Sequence, residues 1–376
     1  MDGAFTVEFI AKPDLSISPT NEPTFVYSIT ADVTDTAGET RSADRSVRVG
    51  YAALEATLTA NNWLEANKPI EVKVTTTTLD GEPQLAEGSV KVHRLKSPAP
   101  VVRARINTED LDEDGKPDAD LSNPINWELA DVAEERGFTT DTNGVAKLPF
   151  KLPAGVYRVM LETQDRFGKK VTGRLPLQVI DPAASSLAIK IPHLIAAPSW
   201  ETQPGEEFML VWGTGYEAGR AFIEIESRNK FIERYWTSPG RTQQQIKLAV
   251  TEALRGGFTV HITQVRENRG YLTSRPVNVP WRNKELELKW EHFTSKLMPG
   301  QKETWSLQIR NPKPETRNAE QKAAELVATL YDESLDAFAP HHWPGGFNVF
   351  RRDGSAVSSQ FENRPRYFQQ CFGSWN

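Results

Sequence analysis

The chain has 376 residues, with 44 Lys and Arg against 50 Asp and Glu and a formal net charge of −6. That balance leaves no basic stripe, which argues against nucleic-acid binding, and no stretch reaches the roughly 18 apolar residues that span a bilayer as a helix. A hydrophobic fraction of 38%, with 10 Trp and 17 Phe, is enough to build buried cores and excludes wholesale disorder. Length points to about two to four domains, with sandwich-sized units of roughly 100 residues favoured. The one cysteine, Cys371, rules out internal disulfides and all-cysteine metal sites. The opening Met1-Asp-Gly-Ala-Phe5 lacks the basic region and apolar core of a signal peptide. Together with the ending Phe372-Gly-Ser-Trp-Asn376, it leads us to expect a piece of a longer protein.

Period-two alternation dominates the chain. Phe5, Val7 and Phe9 alternate with polar residues, as do Phe25, Tyr27 and Ile29, then Val47 and Val49. Ile70, Val72 and Val74 follow, then Val90 and Val92, and the run from Val145 to Phe150. Each run is short and bounded by Gly, Pro, Asp or Asn, the signature of strands and turns. Asp80-Gly81, Asn143-Gly144 and Ala154-Gly155 are turn dipeptides. Two segments depart from the pattern. Ile125 to Arg136 reads as a short helix closing at Gly137, and Ala324 to Tyr331 as a strand despite its helix-forming composition. This density of strands predicts an all-β chain of tandem immunoglobulin- and fibronectin-III-like seven-stranded β-sandwiches.

A repeated turn sets the domain boundaries. Gln203-Pro-Gly-Glu-Glu leads into Phe208-Met-Leu-Val-Trp212, Met298-Pro-Gly-Gln-Lys leads into Glu303-Thr-Trp-Ser-Leu-Gln-Ile309, and Glu65-Ala-Asn-Lys-Pro leads into Ile70. Each marks the start of a sandwich. The expected units are a partial domain over 1–50, sandwiches over 51–182 and 183–281, and a partial domain over 282–376. Trp63, Trp212, Trp290 and Trp305 are the expected core anchors.

Catalysis has little to work with. The six histidines (His93, His193, His261, His292, His341 and His342) are scattered, with no His-Glu-x-x-His helix and no Gly-x-Ser-x-Gly elbow. Cys371 has no local motif that would activate a thiolate. Gly213-Thr-Gly215 lacks the third glycine and helix of a dinucleotide fingerprint and reads as a tight turn. His341-His342 reads as a surface turn, because neighbouring strand positions point to opposite faces. No enzyme and no cofactor is expected, apart from one acidic run. Asp110, Asp112 and Asp114, followed by Gly115 and Asp118, match the first half of a calcium loop. Leu121 stands where the bidentate Glu belongs, so a solvated acidic loop is the first reading and Ca²⁺ chelation by these four carboxylates the alternative. The tail from Gly345 carries Arg351, Arg352, Arg364 and Arg366 among small polar residues, an exposed composition that makes them candidate cleavage sites.

Trp290-Glu-His-Phe-Thr-Ser-Lys-Leu-Met-Pro-Gly-Gln-Lys-Glu-Thr-Trp305 resembles the large bacterial members of the α2-macroglobulin family. Phe5-Thr-Val-Glu-Phe9, Ala11-Lys-Pro-Asp14, Tyr27 to Thr40, Val47-Arg-Val-Gly-Tyr51 and Ala328 to Phe338 are similar to the same family. The resemblance implies macroglobulin domains up to the one bearing the bait region, within an extracytoplasmic, broad-spectrum endopeptidase inhibitor whose partners are target proteases. The Cys-x-x-Gln of the family's thioester is absent here. A surface adhesion or interaction array is the competing reading, since one sandwich serves many functions. Accessory sandwiches of an enzyme come third.

Overall fold

The structure, a computed structural model, describes residues 6–12, 14–18, 23–104, 119–310 and 350–361, with residues 328, 336, 340 and 342. β1 (Phe25–Thr34) and β2 (Thr40–Val49) form a two-stranded antiparallel sheet, registered from Phe25 opposite Val49 to Thr34 opposite Thr40. Phe25, Tyr27 and Ile29 are half-buried while their neighbours face solvent, as alternation requires. Residues 6–12, expected as part of a strand, pair with none. Phe9 instead sets its ring 5.6 Å from that of Tyr27, whose hydroxyl donates to the Lys12 carbonyl at 2.6 Å. A ring contact and a side-chain hydroxyl, rather than a strand ladder, attach this segment.

The first sandwich is built from β3 (Glu55–Ala60), β4 (Leu64–Glu65), β5 (Pro69–Thr77), β6 (Glu87–Leu95), β7 (Leu129–Thr139), β8 (Val145–Lys151), β9 (Gly155–Gln164) and β10 (Lys170–Ile180). A sheet of order β3-β5-β8 faces one of order β7-β6-β9-β10, and the short β4 joins β10 in parallel. Val72, Val74, Val90, Val92 and Val159 are fully buried between them. Tyr157, near the start of β9, donates its hydroxyl to the Pro153 carbonyl at 2.9 Å. This is the tyrosine corner found in immunoglobulin-type sandwiches. Burial pushes that phenol above its ordinary range.

The second sandwich repeats the plan with β11 (Leu194–Ala196), β12 (Glu207–Gly213), β13 (Ala221–Ser227), β14 (Lys230–Trp236), β15 (Gln243–Ala249), β16 (Phe258–Arg266) and β17 (Arg269–Val277). Its sheets have orders β11-β12-β15 and β14-β13-β16-β17. Strands one, two and five therefore oppose strands four, three, six and seven, the same arrangement as in the first sandwich. A final hairpin pairs β18 (Glu287–His292) with β19 (Ser306–Arg310). The described residues are all-β, in tandem sandwiches, and no helix among them is long and apolar enough to cross a membrane.

An apolar seam joins the two sandwiches. Leu95, Trp127, Val156 and Ile180 of the first meet Leu194 and Val211 of the second, with Leu187, Ile189 and Ile191 of the connecting segment between them. Each fully buried side chain of this size contributes about 1.5–3 kcal/mol. The connection is also hydrogen-bonded along its length. Gln243 donates to the Asp181 carbonyl at 2.6 Å, Gln245 to Pro182 at 2.9 Å, and the Gly215 amide to Ile191 at 2.8 Å. At its end the buried Gln264 amide donates to the Pro192 carbonyl at 3.0 Å and to Thr214 Oγ1 at 3.2 Å. Gln264 Oε1 accepts from Trp212 Nε1 at 3.2 Å and lies 3.0 Å from His193 Nδ1. Burial lowers the His193 pKa, which keeps the imidazole neutral with Nδ1 as the donor.

The helix expected over 125–136 is absent. Pro124–Asn126 forms one 3₁₀ turn capped by Asn123, and Leu129–Thr139 is strand β7. Its helix-forming Ala and Glu residues are overridden by pairing with β6, from Glu87 opposite Thr139 to Leu95 opposite Leu129. Trp127 leaves the turn for the seam, where its Nε1 donates to the Leu121 carbonyl at 2.7 Å. Of the four expected core tryptophans, Trp212 is fully buried and Trp63 packs at the seam's edge, whereas Trp290 is 53% exposed. Trp290 lies on the two-stranded β18–β19 sheet, in a ring cluster with Phe293 and Trp305.

The repeated turns share a geometry. In Gln203-Pro-Gly-Glu206 the Gln203 amide donates to Glu206 Oε2 at 2.8 Å, and in Met298-Pro-Gly-Gln301 the Met298 amide donates to Gln301 Oε1 at 3.0 Å. Gly205 and Gly300 sit at φ of 90° and 77°, and Asn67 holds the matching position of Glu65-Ala-Asn-Lys68 at 59°. A second turn recurs as Asp-x-x-Gly-x at Asp35, Asp141 and Asp165. One carboxylate oxygen of each accepts the amides two and four residues on, at 2.8–2.9 Å. Asp165 also accepts the Ala53 amide at 2.8 Å, tying the entry of the first sandwich to its β9–β10 turn.

Donated amides, that of Ala53 foremost, hold the Asp165 carboxyl below the usual range. A depressed folded-state value means the stabilisation is complete above the unfolded value near ~3.9 and is lost as pH falls through the folded one. Asp165→Asn should therefore flatten the fall in melting temperature between about pH 5 and pH 2 relative to wild type. Thermal melts across that range check it, and parallel curves would remove Asp165 as a cause of acid unfolding.

Candidate functional site

The outer face of the β14-β13-β16-β17 sheet carries a buried polar group. Ile223 and Ile225 of β13 and Phe258, Val260 and Ile262 of β16 point into the core. Alternation then sends Glu226 and His261 outward. Outward polar side chains on a sheet normally meet water, yet Glu226 and His261 are 3% and 5% exposed. His261 Nε2 lies 2.9 Å from Glu226 Oε2, its Nδ1 2.8 Å from Ser274 Oγ on β17, and the Phe231 ring stands edge-on at 6.0 Å.

Residues 350–361 provide the cover. The Phe350 ring stacks on Trp281 at 5.9 Å, and Trp281 Nε1 donates to the Arg351 carbonyl at 2.8 Å. Arg351 pairs with Asp353 at 2.7 Å and donates to the Arg255 carbonyl. The Asp353 amide donates to the Gly256 carbonyl at 2.9 Å. Ser355 Oγ donates to Glu226 Oε2 and lies 3.4 Å from His261 Nε2. Phe361 ends the run against Gly270. The floor beneath is firm: the Arg255 side chain is 1% exposed, bidentate to Glu252 at 2.7 and 2.9 Å, and bonded to the Pro280 carbonyl at 2.7 Å.

Two of the residues singled out in the sequence, Arg351 and Arg352, lie on this segment, and both are exposed. Arg351 is anchored at both its guanidinium and its carbonyl. Arg364 and Arg366 lie outside the described residues, as do Asp110, Asp112, Asp114, Asp118 and Cys371. Among the described residues no group of three or more His, Cys, Asp or Glu side chains converges as a metal site. Sequence reasoning missed Glu226, His261 and Ser355. No local signal could have found them, because the three stand on separate elements far apart in the chain.

Chemically the group recognises a hydroxyl: Glu226 is an acceptor inside a covered site, oriented by His261. Removing that carboxylate takes a buried partner from the His261 ring nitrogen and an acceptor from the Ser355 hydroxyl together. Glu226→Ala should cost about 1–3 kcal/mol, read from urea unfolding of the second sandwich. An unchanged midpoint would show that the group adds nothing to stability.

No family model matches the chain, and no curated protein does. Among solved structures it is similar to trypsin-activated alpha-2-macroglobulin from Escherichia coli, at 11% identity and a TM-score of 0.24, over 74% of this chain and 25% of that one. The chain thus spans a quarter of that protein's length. It is similar to the tetra-tandem repeat in the extending region of a large adhesion protein, at 12% identity and a TM-score of 0.22, over 72% of this chain and 60% of that one. It is also similar to the fibronectin(III)-like modules of Clostridium thermocellum CbhA, at 11% identity and a TM-score of 0.20, over 61% of this chain and 97% of those.

Proposed function

We propose that this chain is scaffold of an α2-macroglobulin-like protease trap that acts outside the bacterial cytoplasm. The observation that carries the reading is the seam. A trap must convert one local cut into the displacement of whole domains, and a loose linker between sandwiches would absorb that motion. Here Leu187, Ile189 and Ile191 are buried between the sandwiches, so a push on one is delivered to the other. The family-like run from Trp290 to Trp305 supports the same reading. The arginines at 351, 352, 364 and 366 are the proposed places of attack. The scaffold binds and encloses; it performs no chemistry on the protease.

The test uses the whole polypeptide that carries this chain, mixed with trypsin. A trap abolishes cleavage of a large protein substrate while leaving hydrolysis of a small chromogenic amide, because enclosure excludes only the large substrate. Unchanged cleavage of both would overturn the trap reading and leave an adhesion or interaction array.

A further inference from the structure

We propose that the outer face of the β14-β13-β16-β17 sheet is a peptide-docking surface, that residues 350–361 are its ligand, and that docking shields the Arg351–Arg352 bonds from proteolysis. This deepens the trap reading and rests on it only for its biological meaning. The docking and the shielding stand on geometry alone.

Gly270 makes the strongest case. Its backbone is outside the left-handed region, so a side chain there would be conformationally ordinary. A Cβ built on it, however, would overlap the Phe361 side chain, with the ring Cδ1 at 2.6 Å and the Cβ at 2.7 Å. What the missing side chain makes room for is Phe361. At the other end a Cβ on Gly256, which also sits at a φ of 100°, would come within 2.8 Å of the Arg351 carbonyl. Between Gly256 and Gly270 stands the Glu226–His261 pair, which receives the Ser355 hydroxyl. The ligand is therefore a peptide with an aromatic residue at each end and a hydroxyl between, read by Trp281, Glu226 and Gly270.

Shielding follows from the same contacts. A protease must draw an extended stretch of substrate backbone into its cleft. The Arg351 carbonyl is held by Trp281, the Arg351 side chain by Asp353 and the Arg255 carbonyl, and the Asp353 amide by Gly256. Cleavage then requires undocking, and its rate follows the undocked population.

The experiment is limited trypsin digestion of the full chain, with the cuts at Arg351 and Arg352 mapped by mass spectrometry. Gly270→Val and Phe361→Ala remove the same contact from its two sides. Phe361 lies outside both sandwich cores, so Phe361→Ala leaves them folded. Both variants should speed these two cuts by about tenfold, as expected when docking loses one anchor, while cuts elsewhere keep their wild-type rates. Equal rates at Arg351 and Arg352 in wild type and Phe361→Ala would overturn the proposal. The readout is a mapped cleavage rate and not inhibition of the protease, so it fails or succeeds independently of the trap reading.

Discussion

The burial of the segment between the two sandwiches constrains everything beyond Ile180. Leu187, Ile189 and Ile191 could have formed a solvated linker, in which case each sandwich would have tumbled separately. Instead they fill the space between Trp127, Val156 and Ile180 on one side and Leu194 and Val211 on the other. The hydrogen bonds of Gln243, Gln245 and Gln264 to the carbonyls of that segment satisfy groups that burial would otherwise leave costly. Apolar contact supplies the stabilisation and the glutamines fix the register. Interfaces between domains are usually polar and permissive of motion; this one is built like a core.

That constraint also explains how far the sequence could be read. Phe208-Met-Leu-Val-Trp212 is uninterrupted by polar residues, unlike the alternating strands before it. Phe208, Leu210 and Trp212 face the sandwich core, and Met209 and Val211 face the seam, so both faces are covered. The Pro-Gly turns before Glu207 and after Met298 were legible because a proline followed by a glycine specifies one turn type. The strand at Leu129–Thr139 was not. Its Ala, Glu and Leu residues favour a helix locally, and only β6, more than thirty residues earlier in the chain, holds them extended. Trp290 was misread for a related reason: alternation announces a strand but not how many sheets will cover it.

The buried group at Glu226 was illegible for a different reason. Its three members lie on β13, on β16 and on a segment some ninety residues further along, and no local spacing links them. What makes a polar pair on the outside of a sheet unusual is the cover over it, and a cover is a tertiary fact. Sandwich, seam and docked segment together describe a stiff body that holds one stretch of its own chain against its surface.

Rigidity across the seam is the claim on which the rest turns, and a distance distribution reports it directly. Thr59 on β3 and Lys230 on β14 are exposed positions in different sandwiches. With Cys371→Ser as background, Thr59→Cys and Lys230→Cys can carry nitroxide labels for double electron–electron resonance. A seam that fixes the two sandwiches gives one narrow distance peak, which broadens when Trp127→Ala is added. A broad or multi-peaked distribution in the otherwise native chain would contradict the account.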